Sequence, residues 1–471
     1  MNTFVVQGDC LDVLKTFPEA SISAVVTDPP YGLSKEPDMI EVLRHWLHDG
    51  ETYRHKGGGF MGKSWDSFVP GPEVWREVLR VLKPGGHALV FSGTRTYDLT
   101  VLAMRIAGFE IRDQLAWLYG SGFPKSLDVS KAIDGAAGAV REVVGSYAVT
   151  RDLSRNGRTG DEAISPVDVH GTTVNITAPA TPEAAAWSGW GTALKPAQEP
   201  IVLARKPLVG TVAANVLAHG TGGINVDGCR IETTDNLNGG RYSDHGAGEA
   251  DGSAYGHGIN ARTPDGYAQP AGRWPANVIM DEVAAEILDE QSGTSTSKQS
   301  MRGVGLTGAD DKVFGKGDPN FDTLRGHNDT GGASRFFYVA KTSRAEREAG
   351  LDHLPVHTAG ELTDRQDGSD GLNSPRAGAG RTSSGRRNNH PTVKPIALMR
   401  YLVRMITPPG GMVLDPYCGS GSTLCAAVLE GFDSVGIELT PEYIPIIEGR
   451  VEHYKTIAAI ERARAAAGEG A

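Results

Sequence analysis

The sequence predicts an α/β fold with a largely parallel sheet and a long irregular middle region, and three observations carry that prediction. Short apolar runs alternate with stretches of helical spacing over residues 2–119, four strands separated by three helices. The same alternation resumes over 395–460. In each block an apolar run ends at a turn that carries an acid: Thr27-Asp28-Pro29-Pro30-Tyr31 in the first, Asp415-Pro416-Tyr417-Cys418-Gly419-Ser420-Gly421-Ser422 in the second. Open α/β sheets place their ligands beyond the carboxyl ends of their strands.

Residues 2–10 read as a strand ending at Gly8-Asp9, followed by an amphipathic helical piece through Leu11, Val13, Leu14 and Phe17. A strand over 22–26 leads into Asp28. The polar stretch 32–70, rich in Gly and His, reads as a long loop over that strand end, a length that marks lids and binding loops. Helical spacing of Val74, Trp75, Val78, Leu79, Val81 and Leu82 stops at Lys83-Pro84-Gly85-Gly86. A strand over 87–92, a helix over 97–107 and a strand over 110–119 follow. One helix near 126–134 precedes Gly-, Ala- and Thr-rich sequence with little periodicity. Residues 199–205 read as a strand that returns to pair with 110–119.

From 207 to 387 the chain is rich in Gly, Asn, Asp, Ser and Thr, with apolar islands at 274–280 and 336–340. Trp274, Phe336 and Phe337 read as small-core residues of this region, and 290–330 and 360–388 as candidates for disorder. Regularity returns with a helix over 395–406, a strand over 412–414, a helix over 423–430, a strand over 434–438 and a final helix from Pro441.

At 471 residues the chain can hold more than one domain. It has no apolar run of transmembrane length and no basic-then-apolar leader, so a soluble, cytoplasmic protein is expected. Cys10, Cys229, Cys418 and Cys425 are scattered without a C-x-x-C pair, which supports neither a disulfide frame nor a zinc site, and no metal is expected. A net charge of −11 argues against a nucleic-acid partner when taken as a sum. Its distribution argues otherwise. Residues 371–414 contain no acid, yet carry Arg376, Arg381, Arg386, Arg387, Lys394, Arg400 and Arg404. Such a stripe is compatible with phosphate contacts, and a solvated basic loop is the plainer alternative.

The turn after 22–26 has its own physical logic. Neither Pro29 nor Pro30 can donate a backbone hydrogen bond, and each holds its backbone near one φ value. The strand therefore stops abruptly and presents a carboxylate, a rigid carbonyl-rich turn and an aromatic ring. Taken alone this could simply close a strand. In the second turn, Gly419 and Gly421 let the backbone approach a ligand and turn tightly into a helix N-terminus. Glu438 lies at the end of the following strand, where a carboxylate can accept both ribose hydroxyl protons. A dinucleotide site of G-x-G-x-x-G type is the rival, but position 424 is Leu and Asp415 would repel a pyrophosphate. An acid there suits the ammonium of an amino acid.

On Asp28-Pro29-Pro30-Tyr31, His390-Pro391-Thr392-Val393-Lys394-Pro395 and the 415–422 turn, the chain resembles the beta-type amino DNA methyltransferases. These are the N6-adenine and N4-cytosine enzymes whose catalytic half precedes the cofactor half, and the likeness is greatest to solitary phage- or prophage-type members. It covers roughly 1–120 and 388–455. The resemblance implies a Rossmann-like, doubly wound sheet with one antiparallel strand, S-adenosyl-L-methionine as cofactor and double-stranded DNA as partner. It leaves a homodimer and a restriction partner open. It implies a catalytic half over 1–135, an insertion over 136–193, a strand returning to the sheet over 194–206, a target-recognition region over 207–387 and a cofactor half over 388–471.

Carried over to this chain, Asp28, Pro29, Pro30 and Tyr31 would be catalytic. Asp9, Thr392, Lys394, Asp415, Tyr417, Gly419, Gly421, Ser422 and Glu438 would bind cofactor, with Glu438 on the ribose and Asp9 near the adenine ring. Tyr417-Cys418 stands where Phe with a small or polar residue is common. The N4-cytosine subgroup more often carries Ser where Asp28 stands, so the expected acceptor is adenine N6, reached by flipping the base from the duplex.

Overall fold

Nine apolar runs drawn from both ends and the middle of the chain hydrogen-bond into one sheet in the computed structural model. The structure describes residues 2–32, 36–49, 53, 66–120, 122, 126–148, 173–233, 237, 270–296, 300–303, 322–325, 330–341, 343, 345–358, 361 and 385–467. The chain divides into two compact units: Met1–Gly120, Gln198–His353 and His390–Ala471 form one, Ser121–Ala197 and Leu354–Asn389 the other.

The strands of the larger unit are β1 (Thr3–Gln7), β2 (Ile22–Thr27), β3 (Leu82–Phe91), β4 (Glu110–Leu118), β5 (Gln198–Arg205), β6 (Val278–Asp281), β7 (Tyr338–Ala340), β8 (Met412–Asp415) and β9 (Asp433–Glu438). Their order across the sheet is β1-β9-β8-β2-β3-β5-β4-β6-β7. Every pairing is parallel except those of β5, which runs antiparallel to β3 on one side and β4 on the other. The expected return of 199–205 to the fourth strand is observed, with Ile201 opposite Leu115.

Helices cover both faces. On one, α1 (Cys10–Lys15), α2 (Pro72–Val81) and α3 (Tyr97–Ala107) pack Leu14, Trp75, Val78, Ala103 and Met104 against Val25, Ala88, Val90 and Val202. On the other, α5 (Ile396–Ile406) and α6 (Ser422–Glu430) set Leu398, Leu402, Ala426 and Ala427 against Ala24, Val26, Leu89 and Leu203. The last helix, α7 (Ile444–Ala466), packs Ile447 and Val451 on α6, and α4 (Glu282–Ser292) follows β6. Because both faces are covered, β2 is buried at every residue, which is why its sequence reads as an unbroken apolar run.

Three differences from the sequence reading have physical causes. Lys83-Pro84-Gly85-Gly86, read as a stop between helix and strand, belongs to β3. Gly85 takes φ 77°, Gly85 and Gly86 exchange backbone hydrogen bonds with Lys206, and Asn215 and Thr221 donate to the Pro84 carbonyl. Second, β6 and β7 lie inside the stretch read as irregular. At four and three residues they are too short to show a period of two. Third, Trp274 and Phe336 are 68% and 42% exposed, not small-core residues.

Part of the 32–70 loop is ordered into a helical turn, Met39–Arg44, capped by Asp38 and carried on by a π-helical turn, His45–Asp49. Most of 290–330 and 360–388, read as candidates for disorder, lies outside the described residues. In the smaller unit, Asp134 at the end of the helix Val129–Ala136 accepts from Ala180, Thr181 and Arg141, tying that helix to the ribbon of Val143–Ala148 with Thr173–Thr177. Among the described residues no helix is long and apolar enough to cross a membrane.

Candidate active site

The carboxyl ends of β2, β8 and β9 are neighbours in the sheet, so the two acid-bearing turns meet there. Thr27, the last residue of β2, donates from Oγ1 to Asp415 Oδ1 at 2.7 Å. That bond joins residues 388 positions apart in the chain.

The proline turn is pinned from both sides. Asp66 accepts the backbone N–H groups of Tyr31 (2.8 Å) and Gly32 (3.3 Å), while Thr96 donates to the Tyr31 carbonyl at 2.7 Å. Tyr31 turns its hydroxyl back onto Asp28 Oδ1 at 2.7 Å and lies 3.1 Å from Glu199 Oε2. Burial, followed by the Asp28 and Glu199 charges, pushes the Tyr31 phenol well above its ordinary value, so it remains a donor.

Lys394, assigned to the cofactor by sequence, places its ammonium here. Its Nζ is 2.5 Å from Asp28 Oδ2, 3.2 Å from Glu199 Oε2 and 3.3 Å from Tyr31 Oη. The Phe91 and Tyr31 rings flank it at 4.8 and 5.4 Å. Burial works against this charge, but the Asp28 and Glu199 carboxylates outweigh it and raise the lysine above its ordinary value.

On the second turn, Asp415 is 2% exposed with both oxygens engaged, Oδ1 by Thr27 and the Tyr417 N–H, Oδ2 by Thr423 at 2.6 Å. Burial raises its carboxyl to about 6, against the lowering effect of those hydrogen bonds. Gly419 and Gly421 take φ 55° and 77°, in the left-handed region open to glycine. A Cβ would meet the His390 ring at 2.7 Å in one case and Ile447 at 2.9 Å in the other. Gly421 caps α6, and Ser422 begins it. Glu438 accepts from Gly419 N–H at 2.7 Å and Thr440 N–H at 2.8 Å, one on each oxygen. The Thr440 side chain also bonds this carboxylate, and a carboxylate's remaining lone pair is the acceptor a ribose hydroxyl would use. Burial raises the Glu438 carboxyl.

The remaining assigned residues surround this loop. Gly8 N–H donates to the Glu438 carbonyl at 2.9 Å, which sets Asp9 at the end of the adjacent strand, where it caps Leu11 at 2.9 Å. Tyr417 is hydrogen-bonded with Cys10 and held well above its ordinary pKa by burial. Thr392 is exposed, and its carbonyl lies 2.9 Å from His390 Nδ1.

Three further participants had no assigned role: His390 opens the 390–395 motif, whereas Arg450 and Glu199 belong to none. His390 stacks edge-on with Tyr443 at 4.8 Å, and burial lowers its pKa to about 4. Arg450, fully buried on α7, donates to the Ser420 carbonyl (2.5 Å), Ser420 Oγ (3.0 Å) and Ser422 Oγ (3.2 Å), bracing the loop from behind. Glu199 was the findable one: a lone acid at the head of the apolar run 200–204.

The residues present fit S-adenosyl-L-methionine. A glycine-framed helix N-terminus offers N–H donors to an amino-acid carboxylate, and the strand-end acids Glu438 and Asp9 offer acceptors to the hydroxyls and amine of an adenosine. Among the described residues no group of three or more His, Cys, Asp or Glu could hold a metal ion.

Residues 22–136 and 340–449 match a family model, of N6 and N4 type, described as DNA methylase. Type II methyltransferase M.ScaI of Streptomyces caespitosus is 40% identical over 70 residues, which are 15% of this chain and 23% of that protein. DNA adenine methyltransferase YhdJ of Escherichia coli (strain K12) is 45% identical over 56 residues, 12% of this chain and 19% of its own. The chain thus spans about a fifth to a quarter of the length of these curated relatives. The solved structure of PvuII DNA methyltransferase (cytosine-N4-specific) aligns with 98% of this chain and 93% of its own, at 13% identity and a TM-score of 0.38.

Proposed function

We propose, from the premise that this chain belongs to the N6-adenine and N4-cytosine amino-DNA methyltransferase family, that it methylates the exocyclic N6 amine of adenine in double-stranded DNA. S-adenosyl-L-methionine is the cofactor of that family and supplies a methyl group activated on a sulfonium. The observation that carries the proposal is the junction of the Asp28–Tyr31 turn with the 415–422 loop through the Thr27–Asp415 hydrogen bond.

An aryl amine is a poor nucleophile because its lone pair is delocalised into the ring. Asp28 and the Pro29 carbonyl, held on a rigid turn, would accept its two hydrogens and favour a pyramidal nitrogen. Tyr31 would stack on the ring. Positioning and a charge-complementary site then supply most of the acceleration. The proton leaves after methyl transfer, so Asp28 acts as acceptor and charge stabiliser and needs no tuning as a strong base. An amine inside a duplex is out of reach of such a turn, so the base is turned out first, at a cost of roughly a few kcal/mol.

Gly419, Gly421 and Ser422 would line the cofactor's amino-acid end, Glu438 its ribose and Asp9 its base. The part of 207–387 outside the sheet strands β6 and β7 would serve target recognition, and a DNA-acting protein of this kind would work in the cytoplasm. Asp28, where the cytosine subgroup more often has Ser, supports adenine over cytosine. Nucleoside mass spectrometry on DNA from cells expressing the protein tests this. N6-methyladenine is expected. N4-methylcytosine in place of it would overturn the adenine assignment, and DNA carrying neither modified base would overturn the proposal as a whole.

A further inference from the structure

Glu199 enters the site on β5, the one antiparallel strand, and no motif includes it. Its carboxylate, the Asp28 carboxylate and the Tyr31 hydroxyl surround one nitrogen, Lys394 Nζ, at 3.2, 2.5 and 3.3 Å. The lysine side chain is 8% exposed, the two acids 18% and 22%, so the cation lies beneath and the acids face outward. A one-to-one pair of Asp28 with Lys394 would be neutral overall. Two acids on one ammonium leave one net negative charge, at the place where the acceptor nitrogen becomes cationic as it takes the methyl group.

We propose that Glu199 is a positioning residue for methyl transfer: by sharing the Lys394 ammonium with Asp28, it prevents Asp28 from being neutralised in a one-to-one ion pair and leaves it available to the acceptor amine. This rests on the methyltransferase reading above. Glu199 acts through Lys394, and Tyr31 links the two acids by lying within hydrogen-bond distance of both. Among the described residues, the titratable groups that interact with Asp28 besides Lys394, Tyr31 and Glu199 include Asp415, at the end of the neighbouring β8, and His390, from the segment before α5. Their charges are unchanged by a substitution at 199. A site with one net negative charge opposes the growing positive charge on the amine more effectively than a neutral one.

The test uses the full-length chain, tritium-labelled S-adenosyl-L-methionine and genomic DNA from a host that methylates neither adenine N6 nor cytosine N4. Wild type is measured first: no transfer to this DNA overturns the methyltransferase reading, and this proposal with it. Where wild type transfers, Glu199→Gln should lower the single-turnover rate at least ten-fold while the cofactor Kd, by calorimetry, stays within two-fold. Glu199→Asp, which keeps the charge, should recover most of the rate. A Glu199→Gln rate within two-fold of wild type overturns the proposal. So does an Asp variant as slow as the Gln variant, or lost cofactor binding in the Gln variant, which would make the role structural.

Discussion

Asp28 is held by its neighbours more than by its own backbone: Tyr31 takes one carboxylate oxygen and Lys394 the other. Asp28→Ala should therefore lower single-turnover methylation by about 10²–10³-fold, the range for removing one stabilising group aimed at developing charge, while cofactor binding by calorimetry is kept. Three other residues set the response to acid. Burial lowers His87 and His390 from 6.5 to about 4, so both are neutral in the fold. Their stabilisation is complete above pH 6.5 and is lost as pH falls toward 4, by about 3 kcal/mol each. Asp415 runs the other way. With its carboxyl raised from 3.8 to about 6, stability is lost as pH rises through that window, by about 3 kcal/mol. Urea unfolding between pH 4 and 7 should then show Asp415→Asn losing more stability in acid than wild type, because the opposing contribution is gone. At this scale the sequence exposed Asp28, Asp415, Gly419, Gly421 and Glu438, since strand ends and glycine turns mark them. It showed His390 as part of a motif without its packing role, and it hid Arg450 and the placement of Lys394, which depend on partners far along the chain.

Among the elements, β5 decides most. Among the nine strands of the large sheet it alone is reversed against its neighbours, it is buried from Pro200 to Arg205, and it brings Glu199 to the site. Ile201→Ala, at a side chain with no exposure and neighbours in both β3 and β4, should cost about 2–5 kcal/mol in urea denaturation. The alternation of apolar runs was enough to place β1–β4, β8 and β9. It was not enough for β6 and β7, where the signal is a few residues long and the partner strand is remote. The basic stripe also changes meaning. Arg400 and Arg404 on α5 bond Glu430 of α6 at 2.6–2.7 Å, so they join two helices instead of standing ready for phosphate. Arg404→Gln should leave the salt dependence of DNA binding, measured by fluorescence anisotropy, unchanged.

For the whole molecule, the functional unit is assembled from distant pieces: β1 from the first residues pairs with β9, and β2 with β8. A ligand that bridges β8, β9 and β1 binds only when those pieces are together. S-adenosyl-L-methionine at a hundred times its Kd should accordingly stabilise the protein by about 2.7 kcal/mol, read as a higher unfolding temperature in scanning calorimetry. The sequence by itself determined the α/β class, the two turns and the residues at their tips, because proline, glycine and apolar periodicity act over a few neighbouring positions. Tertiary structure alone decided which strand runs backwards, that Thr27 and Asp415 bond across the two tips, and that Lys394 sits between Asp28 and Glu199. The physical reason is range. Backbone preference is local, whereas an ion pair or a strand pairing joins residues with no sequence neighbourhood in common, and only the packed sheet brings them within hydrogen-bond distance.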